Sequence, residues 1–252
     1  MCGIFGIILS QSEYNEPTAG ISMHERIREL STANLPRGNR QFGFWCWSPM
    51  ASWRRKFNTP FDPANLPLSP MQGVIVHTRA PTGSSISANP LNDIHPFEGR
   101  DFVLMMNGQL LEYDKKEHIN QRRLHDSHID TAYLAGNIEW WLQNRIVEDR
   151  SNGEQSFDEL PVSEALALAI ADFTGQQACV LWHRPSRQLY VWRVMSTLYH
   201  RQVDGRIELS SAKQSDAGWR LFDEGCVYRI DPNTLAIVKE ALFPFSTPYA
   251  TA

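Results

Sequence analysis

Segments in which apolar residues recur at every second position, rich in β-branched and aromatic side chains, constrain this chain more than any other feature. They fall at 3–10, 40–48, 51–57, 73–78, 102–107, 177–183, 188–194, 206–210, 226–231 and 235–239, and each predicts a strand. Helical spacing appears in 21–35, 130–148 and 162–173, where Ser163 precedes a run of Ala and Leu. The order is strand, helix, hairpins, two helices, then further antiparallel-type strands. It predicts an α+β fold with helices covering sheet faces, not a doubly wound sheet. With 252 residues the chain is long enough to bury one sizeable core without disulfides. No internal repeat or linker divides it, so 1–252 is expected to be a single domain with 243–252 as a tail, read as packing on the body in preference to a partner-docking strip. The proline-bearing stretch 58–70 and the segment 83–96 read as long loops, both candidates for lids over a site.

Composition excludes several classes of function. Lys and Arg total 24 against 28 Asp and Glu, a net charge of −4, which leaves no electrostatic footprint for nucleic acid or an anionic membrane. The apolar run at 4–9 is far shorter than a membrane span and lacks the basic flank of a signal peptide. The four cysteines form no CxxC pair, so reduced thiols and a cytoplasmic location are expected. Cys46, Cys179 and Cys226 lie in apolar runs and read as small buried hydrophobes; Cys2 does not. His118, His125 and His128 with Asp126 match no metal-ligand spacing and read as a solvated face, and Trp140-Trp141 reads as packing. Neither metal nor cofactor is expected.

Chemistry concentrates at strand ends. Removal of Met1, which the small second residue permits, places a thiol and a free α-amine together on Cys2. An amine of pKa about 7.7–8.0 is a competent base at neutral pH, whereas a lysine at about 10.4 is mostly protonated. The run His77-Thr-Arg-Ala-Pro-Thr-Gly83 ends a second strand with Arg79 at its mouth, and a guanidinium holds a carboxylate by two parallel hydrogen bonds. Asn107-Gly108 ends a third, and together they offer a side-chain and a backbone N–H donor to an oxyanion. Asp130 opens a helix and can pair with an α-ammonium. Nucleophile, oxyanion donors, carboxylate clamp and amine clamp describe hydrolysis of the side-chain amide of a free amino acid. Taken singly, Arg79 and Asp130 are ordinary ion-pair members and Asn-Gly an ordinary turn.

Taken in order, these residues resemble the class II glutamine amidotransferase domain, the N-terminal-nucleophile type found at the start of amidophosphoribosyltransferase, glucosamine-6-phosphate synthase, asparagine synthetase and glutamate synthase. The start Met-Cys-Gly-Ile-Phe-Gly-Ile, His77-Thr-Arg-Ala-Pro-Thr with Ile94-His-Pro-Phe97, Met106-Asn-Gly-Gln-Leu and Asp130-Thr-Ala-Tyr-Leu carry the likeness. Later runs around 173–180, 193–199, 209–212 and 225–231 follow the family's order. The chain departs from the family pattern at Arg40, Ala80, Glu112, Ile129 and Val194.

The resemblance implies a four-layer αββα sandwich and a γ-glutamyl thioester on Cys2, with release of glutamate and ammonia. It implies Cys2 as nucleophile, Asn107 and Gly108 as oxyanion hole, Arg79 for the glutamine carboxylate, Asp130 for its amine and Thr82 assisting at the substrate. Arg37-Gly38 matches the segment that supports the nucleophile. The last family-like strand ends near Lys239, so a glutaminase domain without a synthase domain is expected, donating ammonia to a separate acceptor enzyme. Two other functions remain open: an independent hydrolase of another γ-glutamyl amide with a larger leaving group, and a non-catalytic relative.

Overall fold

In chain order the elements are β1 (Gly3–Leu9), α1 (Gln11–Tyr14), α2 (Ala19–Asn34), β2 (Gln41–Trp47), β3 (Ser52–Phe57), β4 (Gly73–Arg79), β5 (Phe97–Glu98), β6 (Phe102–Leu111), α3 (Glu117–Gln121), α4 (Asp130–Gln143), β7 (Ile146–Asp149), β8 (Ser156–Glu159), α5 (Val162–Ala171), β9 (Thr174–His183), β10 (Gln188–Val194), β11 (Tyr199–Val203), β12 (Arg206–Ser210), β13 (Arg220–Leu221), β14 (Cys226–Ile230) and β15 (Ile237–Leu242). The computed structural model describes residues 2–16, 19–67, 71–80, 90–124, 126–149 and 156–245.

Alternation along the strands decides how they stack. All seven residues of β1 are buried, yet Ile4 and Ile8 join one apolar cluster while Phe5, Ile7 and Leu9 join another. A strand whose two faces enter two cores needs a layer on each side. β1 lies inside a seven-stranded antiparallel sheet of order β13-β11-β12-β1-β4-β2-β3. A six-stranded sheet, β15-β14-β10-β9-β6-β5, faces it. Between them Ile4, Ile8, Trp45, Trp47 and Ile75 meet Val103, Met105, Val180, Trp182 and Val191. Outside the first sheet, α2 presses Met23, Ile27 and Leu30 onto Phe5, Phe44 and Val76. Outside the second, α4 and α5 bring Leu134, Ile138, Leu166 and Ile170 against Leu104, Leu181 and Trp192. The result is the four-layer αββα sandwich, an α+β fold.

The structure departs from the sequence expectations in several places. The helix expected at 130–148 stops at Gln143, where the Asn144 side chain donates to Trp140 O at 2.7 Å; Ile146–Asp149 then pairs with Ser156–Glu159 as a hairpin. Helical spacing had been extended across β-branched Ile146 and Val147, which favour a strand. β11 escaped notice because its Tyr-His-Arg-Gln-Val sequence shows little apolar alternation. β6 runs past Asn107 to Leu111, since its pairing with β9 continues to Leu111 opposite Thr174, so Asn107-Gly108 is strand interior rather than a turn. The loop after β3 is not a lid over its described length: Phe61 and Leu66 are buried in the cluster beneath α2. Residues 68–70 and 81–89 of the two expected lids, and 246–252 of the tail, lie outside the described residues; Phe243 packs into the core beside α5. Among the described residues no helix is long and apolar enough to cross a membrane.

α2 is tied to the sheet by charge as well as by packing. The Glu208 carboxylate on β12 is fully buried and accepts hydrogen bonds from Arg26 (2.8 and 2.9 Å), Arg201 (2.7 and 2.9 Å) and Arg206 (2.9 Å). Burial alone raises its pKa, but the three guanidiniums outweigh it and hold the carboxyl below its ordinary range. Removing that charge leaves Arg206 without the carboxylate it pairs with, and Arg26 and Arg201 with only the more exposed Asp216 and Glu29. Glu208→Gln is expected to lower the unfolding free energy by about 3–5 kcal/mol in urea titrations. Because the folded pKa is depressed, this stabilisation is present above the unfolded value of about 4.3 and is lost as pH falls through the lower folded value. Wild-type stability should therefore drop on that acid limb and the Glu208→Gln variant should show a shallower one.

Candidate active site

Side-chain parity brings three strands to one end of the gap between the sheets. On β1 the inward residues are Ile4 and Ile8, so Cys2 continues their row at the strand's open end. On β4 His77 and Arg79 follow inward Ile75, and on β6 Asn107 follows inward Val103 and Met105. The register sets Gly3 opposite Thr78, which puts Cys2 level with Arg79. α4 begins at Asp130 on the same side. These residues surround a cavity of about 560 Å³ lined by Cys2, Arg37, Arg79, Asn107, Gly108 and Asp130 among others. Of the residues singled out in the sequence, Gly38 does not line it but ends the short 3-10 turn after α2. Thr82 lies outside the described residues.

Cys2 is half-buried, and burial pushes its thiol pKa up, partly offset by the Ala80 backbone and the Arg79 charge. A thiol held in its neutral form needs a base before it can attack. Its carbonyl accepts from Arg37 Nε at 3.1 Å, and Arg37 Nη1 donates to Ser211 O at 3.1 Å, so the residue before β1 is held by a guanidinium that is itself fixed. Cys46, Cys179 and Cys226 are buried thiols in strands, as expected.

Opposite the thiol, Asn107 is buried and its Nδ2 has no hydrogen-bond partner among the described residues. A buried amide donor without a partner costs roughly 1–3 kcal/mol, and such an atom marks the place where a ligand oxygen is received. Gly108 follows with φ of +147°, and a Cβ there would stand 2.1 Å from Gln176 O, so both backbone conformation and space require glycine.

The two charged groups are held by neighbours. Arg79 Nη1 donates to Gln41 Oε1 at 3.2 Å, and Gln41 Nε2 donates to Asn58 Oδ1 at 2.7 Å. Asp130 Oδ2 accepts from Leu110 N and Oδ1 from Thr131 N, both at 2.8 Å. Burial nevertheless pushes the Asp130 pKa up, against those hydrogen bonds and the Arg79 charge. An ammonium placed beside it would reverse that shift.

Sequence reasoning assigned no role to several lining or supporting residues. His95 lines the cavity and its Nε2 lies 3.1 Å from Thr131 Oγ1, beside Asp130. Its ring lies against His77 with centroids 3.9 Å apart. Burial takes the His77 pKa down to about 3 and that of His95 well below its usual value, so both rings are neutral and the charged side chains named in the lining are Arg37, Arg79 and Asp130. The Ile94-His-Pro-Phe97 run held a signal for His95; Gln41 becomes visible only through its register opposite Arg79. Glu112 adopts a left-handed conformation, φ 54°, which Asn tolerates better than Glu. Ile129 caps α4 without a side-chain bond, and its N–H turns to Ser127 Oγ, which donates to Asp93 Oδ1 at 2.7 Å. Among the described residues no group of His, Cys, Asp and Glu is placed to hold a metal ion.

No family model matches the sequence, and no curated protein matches it. Solved structures do match the fold. Glutamine phosphoribosylpyrophosphate amidotransferase from B. subtilis superimposes with a TM-score of 0.64 at 17% identity, over 95% of this chain and 49% of that one. A structure described as the allosteric regulatory enzyme of purine biosynthesis gives 0.66 at 16% identity, over 98% and 50%. A glutamine aminotransferase class-II domain protein from Silicibacter pomeroyi gives 0.57 at 13% identity, over 96% of this chain and 100% of that one. The chain thus spans about half the length of the first two. It has the class II glutamine amidotransferase fold, of the N-terminal-nucleophile hydrolase type.

Asn107→Leu removes a buried donor while keeping the number and branching of side-chain heavy atoms, and is expected to raise the unfolding free energy by about 1 kcal/mol in urea titrations. A decrease of that size would mean that the amide is already satisfied in solution.

Proposed function

We propose that the protein is a stand-alone class II glutamine amidotransferase that hydrolyses the glutamine side-chain amide and supplies ammonia to a separate acceptor enzyme. The observation that carries this reading is the convergence of Cys2, Arg79, Asn107 and Asp130, from four distant parts of the chain, on one cavity. The class II domain from Silicibacter pomeroyi, matched over its whole length, supports a domain of this extent acting as a unit. We read 1–252 as one glutaminase domain working in the cytoplasm with its thiols reduced.

The chemistry follows from the residues. Removal of Met1 gives Cys2 a free α-amine, and because burial keeps the thiol protonated, this amine is the base that takes its proton. Arg79 binds the substrate α-carboxylate and Asp130 its α-ammonium, fixing the side-chain amide over Sγ. Thr82 is assigned an assisting part at the substrate. As Sγ attacks, the carbonyl oxygen becomes an oxyanion that Asn107 Nδ2 and the Gly108 N–H receive; one such donor is worth about 10²–10³ in rate. The amine returns the proton to the departing nitrogen, and ammonia leaves. Water, deprotonated by the same amine, then cleaves the γ-glutamyl thioester and glutamate is released. Arg37, with Gly38 shaping the turn behind it, holds the Cys2 carbonyl so that Sγ stays aimed. Every group needed is a side chain or backbone atom of this chain, so no cofactor takes part.

Intact-mass spectrometry with the glutamine-like electrophile 6-diazo-5-oxonorleucine tests the reading, with ammonia release assayed in parallel. Loss of Met1 and one adduct on Cys2 are expected, and Cys2→Ala should abolish both adduct and turnover. A retained Met1 with no adduct would overturn the mechanism in favour of a non-catalytic relative. Arg79→Lys should raise KM for glutamine about tenfold with a smaller change in kcat, because an ammonium cannot reproduce the bidentate clamp. Glutamine binding to Cys2→Ala, followed by calorimetry, should weaken as pH falls through the Asp130 pKa. That midpoint should lie above the ordinary aspartate value of 3.8 and vanish in Asp130→Asn.

A further inference from the structure

The nucleophile stands in the middle of the cavity, not at its end. In the first sheet β1 lies between β4 and β12, and in the second β6 lies between β5 and β9, with β10 beyond. Arg79 on β4, His95 before β5 and Asp130, bonded to Leu110 of β6, occupy one end. The other end belongs to the β12 and β10 side and is lined by Met195, Ser196 and Thr197, with Gln176 of β9 beside Gly108 where the centre passes into that end. Arg37 joins the centre to that end, since it holds the Cys2 carbonyl and its Nη1 also reaches Thr197 Oγ1 at 3.4 Å. Nothing in the glutamine reaction as described above uses these four residues.

Their segment is a built wall. Met195 adopts φ 55°, a left-handed conformation that costs a non-glycine residue free energy and persists only when its surroundings impose it. They do: Met195 N donates to Glu224 Oε1 at 3.0 Å, Arg193 Nη1 donates to the same atom at 2.6 Å and to Ser196 O at 3.3 Å, and Thr197 Oγ1 donates to Ser211 O at 2.6 Å. Met195 also bridges Gln177 on β9. The half-buried methionine packs in part on the apolar cluster beneath α4 and α5 and also lines the cavity as an adaptable apolar surface, and Gln176 and Ser196 supply polar groups to the same lining.

Geometry and volume then specify what this end receives. When Sγ attacks an amide carbon, the acyl chain extends to one side and the nitrogen to another. With the glutamyl carboxylate and ammonium fixed at the Arg79 and Asp130 end, the nitrogen faces the Met195 end. For glutamine that nitrogen is a bare NH₂, which leaves the end unfilled. The whole cavity, about 560 Å³, falls in the ~300–1,000 Å³ range that encloses drug-sized ligands rather than one small amino acid.

We propose that the end of the cavity walled by Gln176, Met195, Ser196 and Thr197 is an amine subsite, and that the protein's substrates are γ-glutamyl amides whose nitrogen carries an alkyl or aralkyl substituent as well as glutamine itself. This rests on the Cys2 reading and extends it. The step balances as before: the C–N bond breaks as the S–C bond forms, the thiol proton passes through the α-amine to the nitrogen, and a primary amine leaves in place of ammonia. Water then releases glutamate from the same thioester.

Glutamate release, common to all substrates, measures the proposal with glutamine, γ-glutamylethylamide, γ-glutamylbutylamide and γ-glutamylbenzylamide. For wild-type protein, kcat/KM for the ethyl and butyl amides should equal or exceed that for glutamine. Met195→Gly suits the left-handed backbone and so should fold; it should lower the butylamide-to-glutamine ratio of kcat/KM at least fivefold by removing the apolar contact. Hydrolysis of glutamine with the substituted amides more than a hundredfold slower would overturn the amine subsite and leave the glutaminase reading standing. Hydrolysis of all four with a ratio untouched by Met195→Gly would overturn its placement at Met195. Failure with every substrate, together with no adduct on Cys2, would overturn the reading on which the subsite rests.

Discussion

Burial of β1 on both faces is the constraint from which the rest of the structure follows. A strand with Ile4 and Ile8 on one side and Phe5, Ile7 and Leu9 on the other cannot lie at a surface, so it recruits a second sheet inward and α2 outward. The same alternation, extended one step beyond the strand, turns Cys2 into the gap between the sheets. A residue next to the chain start would ordinarily be frayed. Here it is held by the β4 register on one side and by Arg37 and Ser211 on the other.

The price of this arrangement is polar groups placed where water is scarce. The neutral His77 and His95 rings, the Asn107 amide and the Asp130 carboxyl all sit in or beside the cavity at low exposure. Low local polarity strengthens whatever charge interaction a ligand completes there, and it also raises the cost of leaving each group unpaired. The anchoring is accordingly dense: Gln41 holds Arg79, Leu110 and Thr131 hold Asp130, and Glu224 with Arg193 holds the wall at Met195. On the far side of α2, the buried Glu208 and its three arginines perform the same service for the helix that leads into Arg37.

Particular residues show how far local sequence reaches. Period-two alternation located most strands of both sheets, because each side chain's face is set by its own backbone. It failed at β11, whose residues are mostly polar, and at the end of α4, where apolar spacing ran on into a hairpin. At the site, Cys2, Arg79, Asn107, Gly108 and Asp130 were legible as chemical types and line one cavity, whereas Gly38 stands back from it. Gln41 and the Met195 segment carried no such signal, and His95 only the Ile94-His-Pro-Phe97 run in which it stands. Their parts arise from neighbours more than fifteen residues away in the chain: Thr131 for His95, Arg79 for Gln41, Glu224 for Met195.

The sequence by itself determined the alternating strands, the thiol at position 2 and the kinds of charged side chain at the strand ends, since these depend on residue type and on neighbours a few positions apart. Tertiary structure alone decided that Asn107 lies within a strand with its Nδ2 lacking a partner among the described residues, that both histidines are neutral, and that Cys2 lines one cavity with Arg79 and Asp130. The physical reason is that burial, register and partnership are properties of pairs brought together across the chain, and no single segment contains both members of such a pair.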